Sequence, residues 1–228
     1  MDLAAHYNQL FTESSKAILD NNYVIDTKID AKNDNRFGIT LLIRPPESIK
    51  NKIQSFLNEL KKENPTQYYY PNSDLHITVL SIISCYDGFS LNQINPEAYI
   101  SIIQENLNAL KNLEINLNGI TASNSTIMIQ GFPSNDGLNS FRDLLRKAFQ
   151  NTTLEKSIDS RYTLFTAHIS VCRFRKPITN TEKLVSLLEK NRMTDFGKFE
   201  VKEIELVHND WYQKKEKTQI LHQFIVPN

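Results

Sequence analysis

The spacing of hydrophobic and polar positions changes several times along this chain, and each change marks an element. Over 2–20 the apolar residues Leu3, Tyr7, Leu10, Phe11 and Ile18 recur near helical spacing, which predicts an amphipathic helix. The polar run 21–36, with its Asn, Asp and Lys, predicts an extended arm or loop. FGITLLI (37–43) reads as a buried strand ended by Pro45 and Pro46. Pro46 suits the first turn of a helix reaching about Lys62, with Ile49, Ile53, Phe56, Leu57 and Leu60 as its apolar stripe. Beyond Asn64-Pro65, a loop with three tyrosines (68–70) leads to the strand LHITVLSII (75–83) and a second loop, 84–95. Pro96 opens a helix with Tyr99, Ile100, Ile103, Leu107 and Leu110 on one side, and LEINLNGI (113–120) alternates like a strand.

The same order then recurs. STIMIQ (125–130) is a strand, and 136–150 a helix with Leu138, Phe141, Leu144, Leu145 and Ala148 inward. A polar loop, 151–163, leads to the strand LFTAHISVCRF (164–174). Thr179 or Thr181 can cap a helix to about Leu188, and FEVKEIELV (199–207) is a strand. TQILHQFIV (218–226) is a final strand with no counterpart in the first half. Strand, helix, strand, helix, strand, read twice, predicts an internal duplication. The domain plan that follows is an N-terminal helix and arm over 1–36, then one bilobal domain over 37–228. Its repeats fall at about 37–121 and 125–207, with the last strand at 218–226.

At 228 residues the chain is long enough to bury a real core, and 40% hydrophobic with 23% charged residues is ordinary for a soluble protein. No run has the length of a membrane span, and MDLAAHYNQL lacks the pattern of a signal peptide. A cytoplasmic protein with no membrane partner is expected, with Cys85 and Cys172 as reduced thiols. Lys plus Arg and Asp plus Glu both number 26, so no basic groove for long nucleic acid is expected. A small phosphorylated ligand needs only a few donors and stays open.

Each copy carries one short pattern in the same slot: LHITV at 75–79 and AHISV at 167–171. With five histidines and 32 Ser or Thr in the chain, chance supplies such tripeptides readily, so the setting in the repeat carries the signal. On a strand, alternate side chains share a face. His76 and Thr78 then point one way and Leu75, Ile77 and Val79 the other. His168 and Ser170 share a face with Cys172, opposite Ala167, Ile169 and Val171; a regular strand also places Arg173 opposite His168. Two lobes packed about a pseudo-twofold axis could set the two polar faces across one cleft.

That arrangement fits phosphoester cleavage without a metal. Imidazole titrates near 6.5, so one ring can take a proton from the attacking oxygen and the other give one to the leaving oxygen. Each transfer is worth about 10²–10⁴-fold. Thr78 and Ser170 can donate to the nonbridging oxygens, where charge builds. His76, His168, His208 and His222 could in principle supply a zinc site, but no carboxylate stands at a familiar ligand spacing, so neither metal nor cofactor is expected. Trp211 and Tyr86 lie just past strand ends, where an aromatic ring can stack on a base or simply anchor a loop. Neither a P-loop nor a nucleotidyl-lysine motif is visible, which argues against energy-dependent ligation.

The paired H-x-[ST] pattern within apolar strands, in a tandem repeat of this order, resembles the 2H phosphoesterase (LigT-like) superfamily over roughly 36–226. That group includes the 2′-5′ RNA ligase-like proteins and the RNA 2′,3′-cyclic phosphodiesterases. The resemblance implies an α+β, bilobal fold: two pseudo-twofold-related β-α-β-α-β lobes whose sheets line a central cleft. It implies activity on a nucleotide or RNA-end phosphodiester, such as a 2′,3′-cyclic phosphate or a 2′-5′ linkage, with no required metal. By position, the first catalytic pair falls on His76 and Thr78 and the second on His168 and Ser170. Members often have an Arg five residues after the second His, which falls on Arg173 as a substrate-binding candidate beside Tyr86 and Trp211. They often have Pro where this chain has Ala167, and more often Thr where it has Ser170. A non-catalytic nucleotide-binding or sensor protein on the same fold is the alternative expectation.

Overall fold

Asp2 starts the first helix, α1 (Leu3–Leu19), by accepting hydrogen bonds from the backbone N–H groups of Ala4 and Ala5. The structure, a computed structural model, describes residues 2–227. In chain order it continues with β1 (Arg36–Ile43), α2 (Glu47–Glu63), β2 (Tyr68–Tyr69), β3 (Ile77–Asp87), α3 (Pro96–Asn106), β4 (Glu114–Ala122) and β5 (Thr126–Pro133). There follow α4 (Gly137–Gln150), β6 (Ile169–Arg173), α5 (Thr181–Lys190), β7 (Asp195–Glu200), β8 (Glu203–Asp210) and β9 (Gln219–Ile225).

Several local expectations need correction. Tyr68 and Tyr69, expected in a loop, pair with Arg173 and Cys172 as a short edge strand. The cap of α5 is Asn180, whose side chain accepts from the Lys183 N–H, rather than either threonine. The run 199–207 is divided between β7 and β8, which lie in different sheets. On α4 the expected inward Leu144 is 42% exposed, while Arg142 is fully buried.

The fold is α+β, built on two antiparallel sheets with strand orders β3-β1-β8-β9 and β2-β6-β5-β4-β7. The repeats of the sequence do not fill one sheet each. β4, which closes the first repeat, pairs with β5 of the second, and β8 from the second repeat pairs with β1 of the first. Each sheet is therefore woven from both halves. Helices α3 and α4 lie against β9 and β3 of the first sheet; α2 touches β6 and β7 of the second. A continuous apolar core runs through both layers, from Ile39 and Ile77 to Ile129 and Ile169.

The N-terminal segment is docked onto this frame. Tyr7 and Ile18 of α1 are almost wholly buried, and the Thr121 hydroxyl of β4 donates to the Tyr7 carbonyl. The arm 21–35 has no helix or strand, but its Val24 and Asp26 N–H groups donate to the carbonyls of Asn124 and Phe174. Cys85 and Cys172 are free thiols. Among the described residues no helix is long and apolar enough to cross a membrane.

Candidate active site

The polar faces of the two sheets open onto one cavity of about 620 Å³. The first sheet supplies Thr40, Thr78 and Ser81, the second Thr126, Met128 and Ser170. His76 and His168 line it from positions just before β3 and β6. Beneath them Leu75, Ile77, Val79, Ala167, Ile169 and Val171 are all 0% exposed, so the alternation read from the sequence holds at both motifs. The backbone of β5 comes very close here. A Cβ on Gly131 would stand 1.8 Å from the carbonyl oxygen of Ala167, the residue before His168.

Each imidazole is held through Nδ1. His76 Nδ1 lies 2.7 Å from the Asp74 carbonyl oxygen, which can only accept. In the neutral ring the proton is then on Nδ1, and Nε2 keeps its lone pair. His168 Nδ1 lies 2.8 Å from the Thr166 hydroxyl. Burial pulls the His76 pKa down to about 4; the Asp74 hydrogen bond opposes this, while Arg44, His168 and Arg173 push the same way. His168 is also lowered to about 4, by burial first and then by Arg142, Arg173 and His6. Both rings are only half-buried by surface area, since one edge faces the cavity. Desolvation and the neighbouring cations nevertheless act in one direction, against the charged form.

Arg173 corrects an expectation. The β5–β6 register shifts between Ile127 and Met128, which face Cys172 and Ser170, so Val171 is bulged out of the ladder. The extra residue turns Cys172 into the core and swings Arg173 to the cavity face, beside Ser170. There Arg173 Nε donates to the Tyr70 hydroxyl at 2.8 Å, and its Nη1 lies 3.6 Å from the Asp26 carboxylate. Tyr86 does not join the site: it is 41% exposed and its hydroxyl donates to Glu155 at 2.6 Å. Trp211 does line the cavity, but Arg161 and Arg36 pack over its ring, 3.8 and 4.5 Å from the centroid. His208 stacks on Phe37, and His222 packs against Phe224. Among the described residues no group of three or more His, Cys, Asp or Glu is placed to hold a metal ion.

Reasoning from the sequence missed Arg142. Its Nε donates to the Val79 carbonyl at 2.8 Å, and Nη2 donates to the Thr78 carbonyl at 2.9 Å and the Thr166 carbonyl at 2.8 Å. Nη1 donates to the Asn139 side chain at 3.0 Å. One buried guanidinium thus ties the strand of the first motif to the approach of the second. The signal was present: position 142 lies within the stripe of Leu138, Phe141 and Leu145, where a charge is unexpected. The wall formed by His6, Tyr7 and Leu10 of α1 was also missed, because a helix pattern does not say where the helix docks.

Two woven antiparallel sheets around one cavity, with an H-x-Thr and an H-x-Ser motif on its walls, have the LigT-like fold of the 2H phosphoesterase superfamily. The model of the AKAP7 2′5′ RNA ligase-like domain matches residues 37–218, and the chain belongs to that family. The structure is similar to TT0787 of Thermus thermophilus, with a TM-score of 0.57, 15% identity and coverage of 82% of this chain and 97% of that one. It is similar to E. coli LigT complexed with 3′-AMP, with a TM-score of 0.57, 12% identity and coverage of 85% and 99%. It also resembles the conserved protein of unknown function ATU0111 from Agrobacterium tumefaciens str. C58, with a TM-score of 0.52, 14% identity and coverage of 92% and 97%. At these identities the likeness is one of fold. The comparison with curated proteins gives no match. Helix α1 lies outside the family segment.

Proposed function

We propose that the protein is a phosphodiesterase that opens a nucleotide or RNA-end phosphoester, a 2′,3′-cyclic phosphate or a 2′-5′ linkage, by two-histidine acid–base catalysis. The observation that carries this reading is the convergence of His76, Thr78, His168 and Ser170 on one cavity, with Arg173 beside them. In cyclic phosphate opening, one neutral imidazole takes the proton of a water as its oxygen bonds to phosphorus. The other, protonated, gives its proton to the ribose oxygen as the P–O bond breaks. Water is added across one bond, and the two rings exchange protonation states. Thr78, Ser170 and Arg173 donate to the nonbridging oxygens. The 3′-AMP bound by LigT is a ligand of this chemical kind.

The test is a panel of 2′,3′-cyclic nucleotides and 2′-5′ linked dinucleotides, with products identified by mass. His76→Ala and His168→Ala should each lower turnover about 10²-fold or more while the circular dichroism spectrum is retained. Turnover should persist in EDTA. Full activity in both variants would remove the reading.

One observation favours a second reading. Both imidazoles are pulled down to about 4, so neither is charged in the free protein at neutral pH. A nucleotide-binding or sensor protein with little catalysis would show tight binding of 3′-AMP and no product on long incubation with the panel.

A further inference from the structure

The cavity extends well beyond the histidines. On β3 its lining runs from Thr78 through Ser81 to Cys85, and that length of strand covers roughly 20 Å. At the far end stands Arg161, from the loop before β6. Its Nη2 donates to the Cys85 carbonyl at 3.1 Å, and its guanidinium carbon is 3.8 Å from the Trp211 ring centroid. Contact with the ring and the bond to Cys85 hold the guanidinium in place, and that single hydrogen bond leaves N–H donors for an anion.

The charge balance singles out the same residue. Arg36, also over Trp211, is matched by Asp34, with Nη2 2.6 Å from Oδ2. Arg173 has Asp26 at 3.6 Å. Among the described residues, no carboxylate pairs with Arg161. Desolvation lowers its pKa; Cys85 and Tyr162 oppose this and Arg36 adds to it, and an anion at this point would favour the charged form.

We propose that Arg161, seated on Trp211, is a second phosphate subsite. The chain then selects ligands that place one phosphate at the histidines and another phosphate of the same molecule at Arg161. The guanidinium fork suits bidentate contact with phosphate, and a lone nucleoside monophosphate cannot occupy both ends. This inference rests on the phosphodiesterase reading for the histidine end alone.

The probes are deoxyadenosine 3′-monophosphate and the deoxyadenylate pentamer ending in a 3′-phosphate, long enough for its outer phosphates to span the cavity; both lack the neighbouring hydroxyl needed for transesterification. Calorimetry gives both affinities for wild type, Arg161→Ala, Arg161→Gln and Arg161→Lys. The wild type should bind the pentamer about tenfold more tightly than the monomer. Arg161→Ala and Arg161→Gln should reduce that ratio to about twofold or less, and Arg161→Lys should retain part of it. The salt dependence of pentamer binding should weaken by about one counterion in Arg161→Ala. A ratio near one in wild type, or a ratio unchanged in both neutral variants, overturns the subsite. Monomer affinity in His76→Ala and His168→Ala is measured in parallel. If it is unchanged the histidine end does not hold this phosphate; turnover of the two histidine variants remains the test of the phosphodiesterase reading, and the response of the pentamer to Arg161 still decides the subsite.

Discussion

Arg142 shows how one side chain can join two sites that the sequence keeps apart. It is fully buried, and the nearest acids on its helix and loop, Asp143 and Asp159, are engaged by Arg146 at 2.8 and 2.6 Å. Burial pulls its pKa down to about 10, so it stays charged at neutral pH, held by carbonyls rather than by a counterion. Arg142→Met would leave the carbonyls of Thr78, Val79 and Thr166 without this donor, at about 1–3 kcal/mol for each one left unpaired. A lower urea midpoint is expected, with Arg142→Lys intermediate. Stability alone would not distinguish this residue from any core position, so the titration of His168 is the sharper readout. With the neighbouring cation gone, the His168 pKa should rise from about 4 in an NMR titration of Arg142→Met. An unmoved His168 would show that Arg142 has no electrostatic hold on the site.

At the scale of elements, the bulge at Val171 and the docking of α1 complete the cavity. The bulge brings Arg173 to the face where a regular strand would put Cys172. Gly131 permits β5 to lie against the segment that presents His168, so Gly131→Ala should displace that segment. A stability loss of about 1–3 kcal/mol by chemical denaturation is expected. Helix α1 seats Tyr7 and Ile18 in the core at 1% and 0% exposure and lends the cavity His6. Removing residues 1–20 should therefore lower stability by roughly 3 kcal/mol or more from those two side chains, and on the proposed function should weaken nucleotide binding. An unchanged urea midpoint and affinity would make α1 an ornament on the family segment. The pattern of α1 was legible from Leu3, Tyr7, Leu10 and Ile18, but its docking surface on β4 was not. The bulge left only a short mark, Val171 and Cys172 side by side between Ser170 and Arg173, which a strand end would also produce; pairing with β5 decides it.

At the scale of the whole molecule, the weaving of two repeats into two sheets buries both imidazoles in one place and so links stability to pH. The unfolded chain protonates these histidines near 6.5, whereas folded His76 and His168 resist until about 4. Between those values the unfolded state binds more protons, so their contribution to stability falls as the pH drops from about 6.5 to about 4. Urea midpoints measured across this window should decline toward acid, and the decline should be smaller in the His76→Ala, His168→Ala double variant. An anionic ligand reverses part of the shift, since its charge favours imidazolium. On the proposed function, binding of an uncleavable dinucleotide phosphodiester, which does not titrate in this window, should therefore take up protons and tighten as the pH falls, seen in calorimetry with buffers of different ionisation enthalpy. Proton release on binding would contradict this.

The sequence by itself determined the runs of helix and strand, the duplicated order, and the two His-hydroxyl faces, because each depends on a period of two or of 3.6 residues repeated locally. Tertiary structure alone decided that β4 and β8 would exchange sheets, that Arg173 would reach the cavity and Tyr86 would not, and that Arg142 would bridge the motifs. Those outcomes rest on contacts between residues dozens of positions apart. Their energies come from register, close backbone approach and buried hydrogen bonds, none of which leaves a periodic mark along the chain.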